Sequence, residues 1–382
     1  MRGLRLVLGF ALSLFFLYLT FFVPRIGDLV GGDVGVAQAL FGRMRFDLAE
    51  LGRVLTTADW APIGLAGILF FAALVLRAWR WRVMLAPLVR IRFGGVFAAM
   101  CIGYMANNLL PLRMGELYRA HVVYRISGLS RSAAFGNVVL ERVTDLLFMV
   151  PYLMLTVLLF PLPGWLKNAA YATAGTVLAV TAFLVWLAVD RARALEMVGR
   201  LMGVLPRKLG AALMTLIERF ASGFEVIRRS EHHLGLVVSS LALWAMYAAM
   251  GYLVLRSLGF MDAGIEAIDR NPLGAVLVTL MITTLGFVIP GAPGAVGTYH
   301  GLTVLGLGLF GVPGDRAAGF AILLHALNYV PLTALGLIFF WKLGLTFHDT
   351  DRMAAEMKGA SPVSPGTSMV SGAAGEVKKV GR

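Results

Sequence analysis

Residues 101–119, CIGYMANNLLPLRMGELYR, close an apolar stretch with two asparagines, a proline, two arginines and a glutamate. Polar side chains in or beside a hydrocarbon layer are costly and tend to mark function. Arg113, Glu116 and Arg119 recur at steps of three, which puts them on one face of a helix. A carboxylate between two guanidiniums stays ionised and directs both of them, leaving donors free for a further partner. The planar guanidinium fork suits phosphate, which it binds through two parallel charge-assisted hydrogen bonds. Asn107 and Asn108 would satisfy neutral headgroup atoms, or the backbone groups freed beside Pro111. The structural alternative is an interfacial salt-bridged turn that only caps a hairpin.

Three further sets carry polar chemistry. In VVLERVTDLLF, Glu141 and Asp145 stand four apart and Arg142 reaches Asp145 at three, at the expected start of a span. These charges either anchor that start at the interface or pair with an arginine of the preceding segment, tying it to a moving helix. Arg77 and Arg80, in RAWRW, join the headgroup candidates, with simple anchoring beside Trp81 as the alternative. The stretch 289–301, IPGAPGAVGTYHG, holds four glycines and two prolines. Proline stops a helix and glycine permits close approach and positive φ, so Pro290, Pro293, Gly294 and Gly297 read as a break. A broken helix offers N–H groups and a half-helix dipole to an anion; a tight turn without a ligand is the alternative. The break lacks nucleotide-loop spacing. His300 and His325 are the histidines within apolar segments, and each reads as a hydrogen-bonded packing residue or a proton relay. No acidic cluster gives them metal spacing, so neither a metal nor a cofactor is expected.

These groups need a membrane scaffold. The 382 residues are 59% hydrophobic and 14% charged, with a mean hydropathy of +0.80, against about 25% charged in soluble domains. The expected fold is an all-α polytopic membrane protein over 1–345, followed by a disordered, Gly/Ser/Ala/Pro-rich cytoplasmic tail over 346–382. The net charge of +13 sits in short loops, as the positive-inside rule expects, and argues for anionic lipid rather than nucleic acid. The lone Cys101 excludes an internal disulfide and a cysteine-based metal site and reads as a packing residue.

Spans are expected at 3–23, 62–81, 143–161, 166–188, 235–256 and 316–341. Residues 3–23 lack a good cleavage site and read as an uncleaved first helix. Between 24 and 60, apolar residues from Val36 to Leu55 recur at helical steps and predict a surface helix. Residues 189–234 hold eight Lys/Arg against five Asp/Glu and predict a basic amphipathic cytoplasmic helix. If 93–111 crossed fully, Arg113, Arg119, Arg125, Arg131 and Arg142 would stand outside, against the charge rule; a re-entrant hairpin from the cytoplasm removes that conflict. The two short halves around the Gly/Pro break, 272–290 and 302–312, read as a second hairpin entering from outside. This makes six spans and two hairpins, with eight complete spans as the alternative; both leave N- and C-termini in the cytoplasm. Paired interrupted segments point to an inverted repeat with a binding site between the halves.

Together, R-x-x-RW at 77–81, N-x-L-x-P-x-R-x-GE-x-x-R at 107–119, ER-x-x-D at 141–145 and P-x-x-PG-x-x-G at 290–297 resemble the lysylphosphatidylglycerol synthase transmembrane, or flippase-like, family. The resemblance covers about 1–345. It implies a membrane domain that moves modified phospholipid between leaflets, or in short members a role in lipid or lipid-linked-sugar export. The chain departs from that pattern at His300, where many members carry an acidic residue. It also shows no soluble aminoacyltransferase domain, so aminoacyl transfer by this chain alone is not expected.

The reading that follows is translocation of an anionic or phosphate-linked lipid across a bacterial inner membrane, with no enzymatic activity. Arg113 and Arg119 would bind phosphate, Glu116 would orient them, and Pro290 to Gly297 would form the opposing gate. The expected partners are a membrane phospholipid or polyprenyl-phosphate lipid and a lipid-modifying synthase; the sequence is silent on oligomeric state and on the energy source. An enzyme acting on lipid-linked sugars, using Glu116, Glu141 or Asp145, is the competing class, and a subunit that recruits a synthase is the third.

Overall fold

A computed structural model of the chain describes residues 48–110, 114–160, 162–202, 214, 233–286 and 293–345. The expected first span at 3–23, most of the basic 189–234 helix, Arg113, Pro290 and the tail at 346–382 lie outside the described residues. Every regular element described is helical. In chain order they are α1 Leu48–Thr56, α2 Trp60–Leu85, α3 Phe93–Leu109, α4 Gly115–Ser127, α5 Arg131–Leu159 and α6 Gly164–Val189. They continue as α7 Arg191–Met202, α8 His233–Ser257, α9 Glu266–Arg270, α10 Pro272–Gly286, α11 Thr298–Gly308 and α12 Gly314–Lys342.

Five of these, α2, α5, α6, α8 and α12, are long and apolar enough to cross a bilayer. Their outward faces carry bare hydrocarbon: Ile68 is 66% exposed and Leu158 80%, a distribution that suits lipid rather than water as the solvent. Starts are set locally. Asp59 accepts a hydrogen bond from Ala61 N at 3.0 Å to cap α2, and Ser130 caps α5 by accepting from Ala133 N.

Antiparallel packing defines two ends of the body. Asp59 N donates to Ser257 O at 2.8 Å, so the start of α2 meets the finish of α8. Asn137 donates to the Met84 carbonyl, so the finish of α2 meets the first turns of α5. Arg82, Arg90, Arg92, Arg125, Arg131 and Lys342 cluster at this second, basic end; Asp262, Glu266, Asp269 and Asp315 lie at the opposite one.

Between α2 and α5 the chain enters and returns at the basic end. A Cβ on Gly95 would touch Ile126, and one on Gly115 would overlap the Gly103 carbonyl, so α4 runs back along α3. Phe97 packs on Phe339 at 5.9 Å and Asn108 bonds to Thr333 at 2.9 Å, so the tip of this hairpin reaches the middle of α12. α3 is about 26 Å long at 1.5 Å per residue, and its finish lies beside the middle of α12 rather than at the far end of that helix.

The second hairpin enters from the opposite end. A Cβ on Gly306 of α11 would meet Thr279 of α10 at 2.9 Å, and Gly274 near the start of α10 faces Phe160 at the finish of α5. Val150, Leu153 and Val157 of α5, Leu166, Ala170 and Val177 of α6, and Val278, Met281 and Ile282 of α10 form one buried cluster that seats it. The two hairpins therefore penetrate from opposite ends, and the reading of eight complete spans is not what the described residues form.

Candidate functional site

The α3–α4 hairpin closes through glycines and one asparagine. Asn107 Oδ1 accepts from Gly115 N at 2.8 Å, supplying the cap that α4 otherwise lacks, while its Nδ2 donates to Glu116 Oε1 at 3.2 Å. A first-turn amide and a carboxylate are thus held by one side chain, and Glu116 is kept at the mouth of the hairpin.

Behind it lies a buried ion network. Arg119 pairs with Glu141, and neither has any exposed side-chain surface. Arg80 pairs with Asp145 and donates to Ser240 at 2.9 Å. Arg77 reaches Asp145 at 2.5 Å and Glu141 at 3.7 Å. Arg142 bridges Glu116 at 3.5 Å and Asp145 at 3.6 Å. Four guanidiniums therefore face three carboxylates, leaving one positive charge uncompensated within this set. Charges so placed are tolerable only when mutually paired, because water is excluded and the effective dielectric is low.

Aromatic rings organise the network. The Arg119 guanidinium lies 3.9 Å from the Trp81 ring centroid, and Trp81 Nε1 donates to Asn137 at 3.1 Å. Arg77, Arg119 and Arg142 stand 5.6, 5.9 and 5.7 Å from the Tyr104 ring. Arg119 Nε and Nη1, the Tyr104 hydroxyl and Glu116 Oε2 are buried without a hydrogen-bond partner among the described residues. Arg142 is the most open of the set at 32%, against 18% for Arg77 and Glu116. The arrangement presents two accessible guanidiniums and spare donors behind a fixed backing, a surface able to hold one phosphate.

Several expectations need correction. Glu116 is not the carboxylate that holds Arg119: α4 begins only at Gly115, and Glu116 turns to Asn107 and Arg142 while Arg119 is held by Glu141. α5 starts at Arg131, so Glu141, Arg142 and Asp145 lie inside the helix rather than at its first turn, with Glu141 buried ten residues in. Glu141 pairs with an arginine of the hairpin. Arg80 is likewise buried rather than anchored at a surface. The sequence reading passed over Tyr104, Asn137, Ser240 and Tyr329. Tyr104 lies within the opening motif, but no spacing rule connects Asn137 to a tryptophan 56 residues away or Ser240 to an arginine 160 residues away.

The opposing hairpin is broken where glycines require it. Gly294 has φ 64° and Gly297 φ 86°, and a Cβ on Gly294 would strike the Tyr329 ring and stand 3.5 Å from the Asn108 carbonyl. Tyr329 donates its hydroxyl to that carbonyl at 3.2 Å. The tips of both hairpins thus meet on Tyr329, with Pro293 in the turn itself. The first N–H of the α11 start is taken by His300, since Gly297 N donates to its Nδ1 at 3.3 Å. Among the described residues no group of three His, Cys, Asp or Glu is placed to hold a metal.

These features define a class: an α-helical polytopic membrane protein in which two re-entrant hairpins from opposite ends meet beside a buried arginine–carboxylate network. The chain belongs to the lysylphosphatidylglycerol synthase TM region family, whose profile matches residues 6–336. It is 28% identical over 300 residues to a UPF0104 membrane protein of Methanothermobacter thermautotrophicus, covering 75% of this chain and 85% of that one. It is 27% identical over 315 residues to the glycosyltransferase AglD of Haloferax volcanii, covering 74% of this chain but 49% of AglD. No solved structure matches.

Proposed function

We propose that the protein translocates an anionic or phosphate-linked lipid between the leaflets of the membrane, its headgroup passing between the two hairpin tips. The observation that carries this reading is the meeting of Asn108, Gly294 and Tyr329 midway along α12, beside an arginine network with one uncompensated positive charge. Arg142 and Arg77 offer donors to the phosphate, Glu116 and Asn107 orient the mouth, and Arg80 and Arg119 stiffen the backing. Arg113 is the remaining phosphate candidate. The basic end faces the cytoplasm in this reading, as anionic lipid and the positive-inside rule favour, and the protein supports transport without catalysing a covalent step.

The test is reconstitution of the purified chain into phosphatidylcholine–phosphatidylglycerol vesicles carrying fluorescently tagged phosphatidylglycerol or a tagged polyprenyl phosphate. Faster loss of protected fluorescence to a membrane-impermeant quencher than in protein-free vesicles supports the reading. Equal rates for both probes overturn it.

One observation favours a second reading. The relative AglD is named a glycosyltransferase, and this chain corresponds to about half of its length, which makes an enzyme or synthase-associated subunit for lipid-linked sugars the alternative. Glu116→Gln separates them: loss of sugar-lipid product from purified protein with donor lipid favours the enzyme, whereas a defect confined to lipid movement favours translocation.

A further inference from the structure

Away from the arginine network, His300 of α11 and His325 of α12 come together. His300 Nε2 lies 3.4 Å from His325 Nδ1, with ring centroids 4.8 Å apart. Gly297 N donates to His300 Nδ1 at 3.3 Å, and His325 hydrogen-bonds the Gly294 backbone. Both glycines have positive φ, as does Ala295 between them. The two rings therefore staple each side of the Gly/Pro break to α12. Tyr299 packs 4.9 Å from His325 and Tyr329 5.5 Å from it.

The bonding pattern fixes where the protons are. His300 Nδ1 accepts, so its proton is on Nε2 and points at His325 Nδ1, which must accept in turn. His325 then carries its proton on Nε2, as donor to the Gly294 carbonyl. This chain is complete with one proton per ring. A further proton has to land on one of the two Nδ1 atoms, each already the acceptor that closes a bond, and would set N–H against N–H. Protonation therefore breaks either the Gly297–His300 contact or the His300–His325 contact.

The groups facing the pair do not offset this. Tyr299 from α11 and Tyr329 from α12 are its titratable neighbours among the described residues. Among the described residues, the charged influence on His300 is that of His325 itself. The arginines of the other hairpin are engaged around Tyr104.

We propose that His300 and His325 form a proton site whose uptake of one proton from water breaks the Gly297–His300–His325 chain and releases the start of α11 from α12. The proton site stands on this geometry alone; its use to drive lipid movement rests on the translocation reading above.

The experiment is hydrogen–deuterium exchange of the full chain in lipid nanodiscs, followed over 294–301 and corrected for the intrinsic pH dependence of amide exchange. Wild-type exchange there is expected to rise about tenfold for each unit by which pH falls while the pair is mostly neutral, from about pH 7.5 down to 5.5. His325→Asn keeps an acceptor near the Nδ1 position without titrating in that range and is expected to be flat. Wild-type protection that does not change with pH overturns the proposal without reference to any variant, as does a His325→Asn protein with the wild-type pH response. Lipid exchange in vesicles with an imposed pH gradient separates the two readings. A pH-dependent amide response without lipid movement keeps the proton site and sinks translocation. Lipid movement with a flat amide response does the reverse.

Discussion

The α3–α4 hairpin is held by charge and the α10–α11 hairpin by the lack of it. The first brings Glu116 and Arg119 into a network with Arg77, Arg80, Glu141, Arg142 and Asp145, and its helices close on the Gly103–Gly115 contact. The second carries no Asp, Glu, Lys or Arg between Pro272 and Gly314; it is seated by apolar packing at its base, and at its tip it is tethered by neutral bonds from the histidines while Gly294 lies against the Tyr329 ring. Buried ion pairs are costly to break, since each leaves an unpaired charge out of water, whereas a neutral hydrogen bond contributes only about 1 kcal/mol net. The difference is one of cost: the charged hairpin, the wall of the proposed site, is the harder to displace, and the neutral one, its proposed gate, the easier.

The sharpest way to break this comparison is to unlock the wall. Glu141→Gln strands the fully buried Arg119 and should cost about 3–5 kcal/mol, read as a large fall in thermal unfolding temperature in detergent or nanodiscs; an unchanged temperature would mean that the network is not structural. Gly115→Ala drives a methyl into the Gly103 carbonyl, backbone against backbone, and should cost about 1–3 kcal/mol. Gly306→Ala applies the same probe to the neutral hairpin against Thr279, and a smaller loss there would show how much more readily that hairpin yields.

Two further changes sharpen the contrast at the tips. Asn107→Ala removes the cap on Gly115 and a donor to Glu116, for about 1–3 kcal/mol because both partners are partly buried. Tyr329→Phe deletes a single neutral bond to the Asn108 carbonyl, for about 0.5–1.5 kcal/mol. Its main readout should be faster amide exchange at the finish of α3, around Asn108 to Leu110, with little change over 293–301 or in global unfolding. If Asn107→Ala instead loosens 293–301 and leaves α4 protected, the assignment of wall and gate is reversed.

Much of the site was legible locally. The Asn–Pro–Arg–Gly–Glu run marked the fixed hairpin, because polar residues ending an apolar segment have no bland explanation, and charge bookkeeping turned it back toward the basic end. The Gly/Pro run marked the break, because glycine reaches the φ of 64° that Gly294 adopts against the Tyr329 ring and proline stops a helix. What went astray did so through long-range pairing. Steps of three suggested that Glu116 grips Arg119, but helix periodicity knows nothing of a second helix supplying Glu141. The start of α5 was placed too late because its first turns, Arg131 to Asn137, are polar enough to read as a loop; their burial comes from packing against α2 and α4. His300 and His325 looked like separate packing residues because nothing within a 25-residue interval shows that two helices bring the rings into contact.

By itself the sequence determined the class: its hydropathy, span lengths and the placement of arginines between spans require an α-helical membrane protein, since only helices satisfy their own backbone in lipid at those lengths. It also determined where the helices must break. Only the tertiary structure decided which charges pair, that the two breaks meet on Tyr329, and that two histidines close one of them. Those outcomes depend on distances between residues far apart in the chain, and in a low-dielectric interior a change of one partner decides whether a charge is a lock, a ligand or a cost.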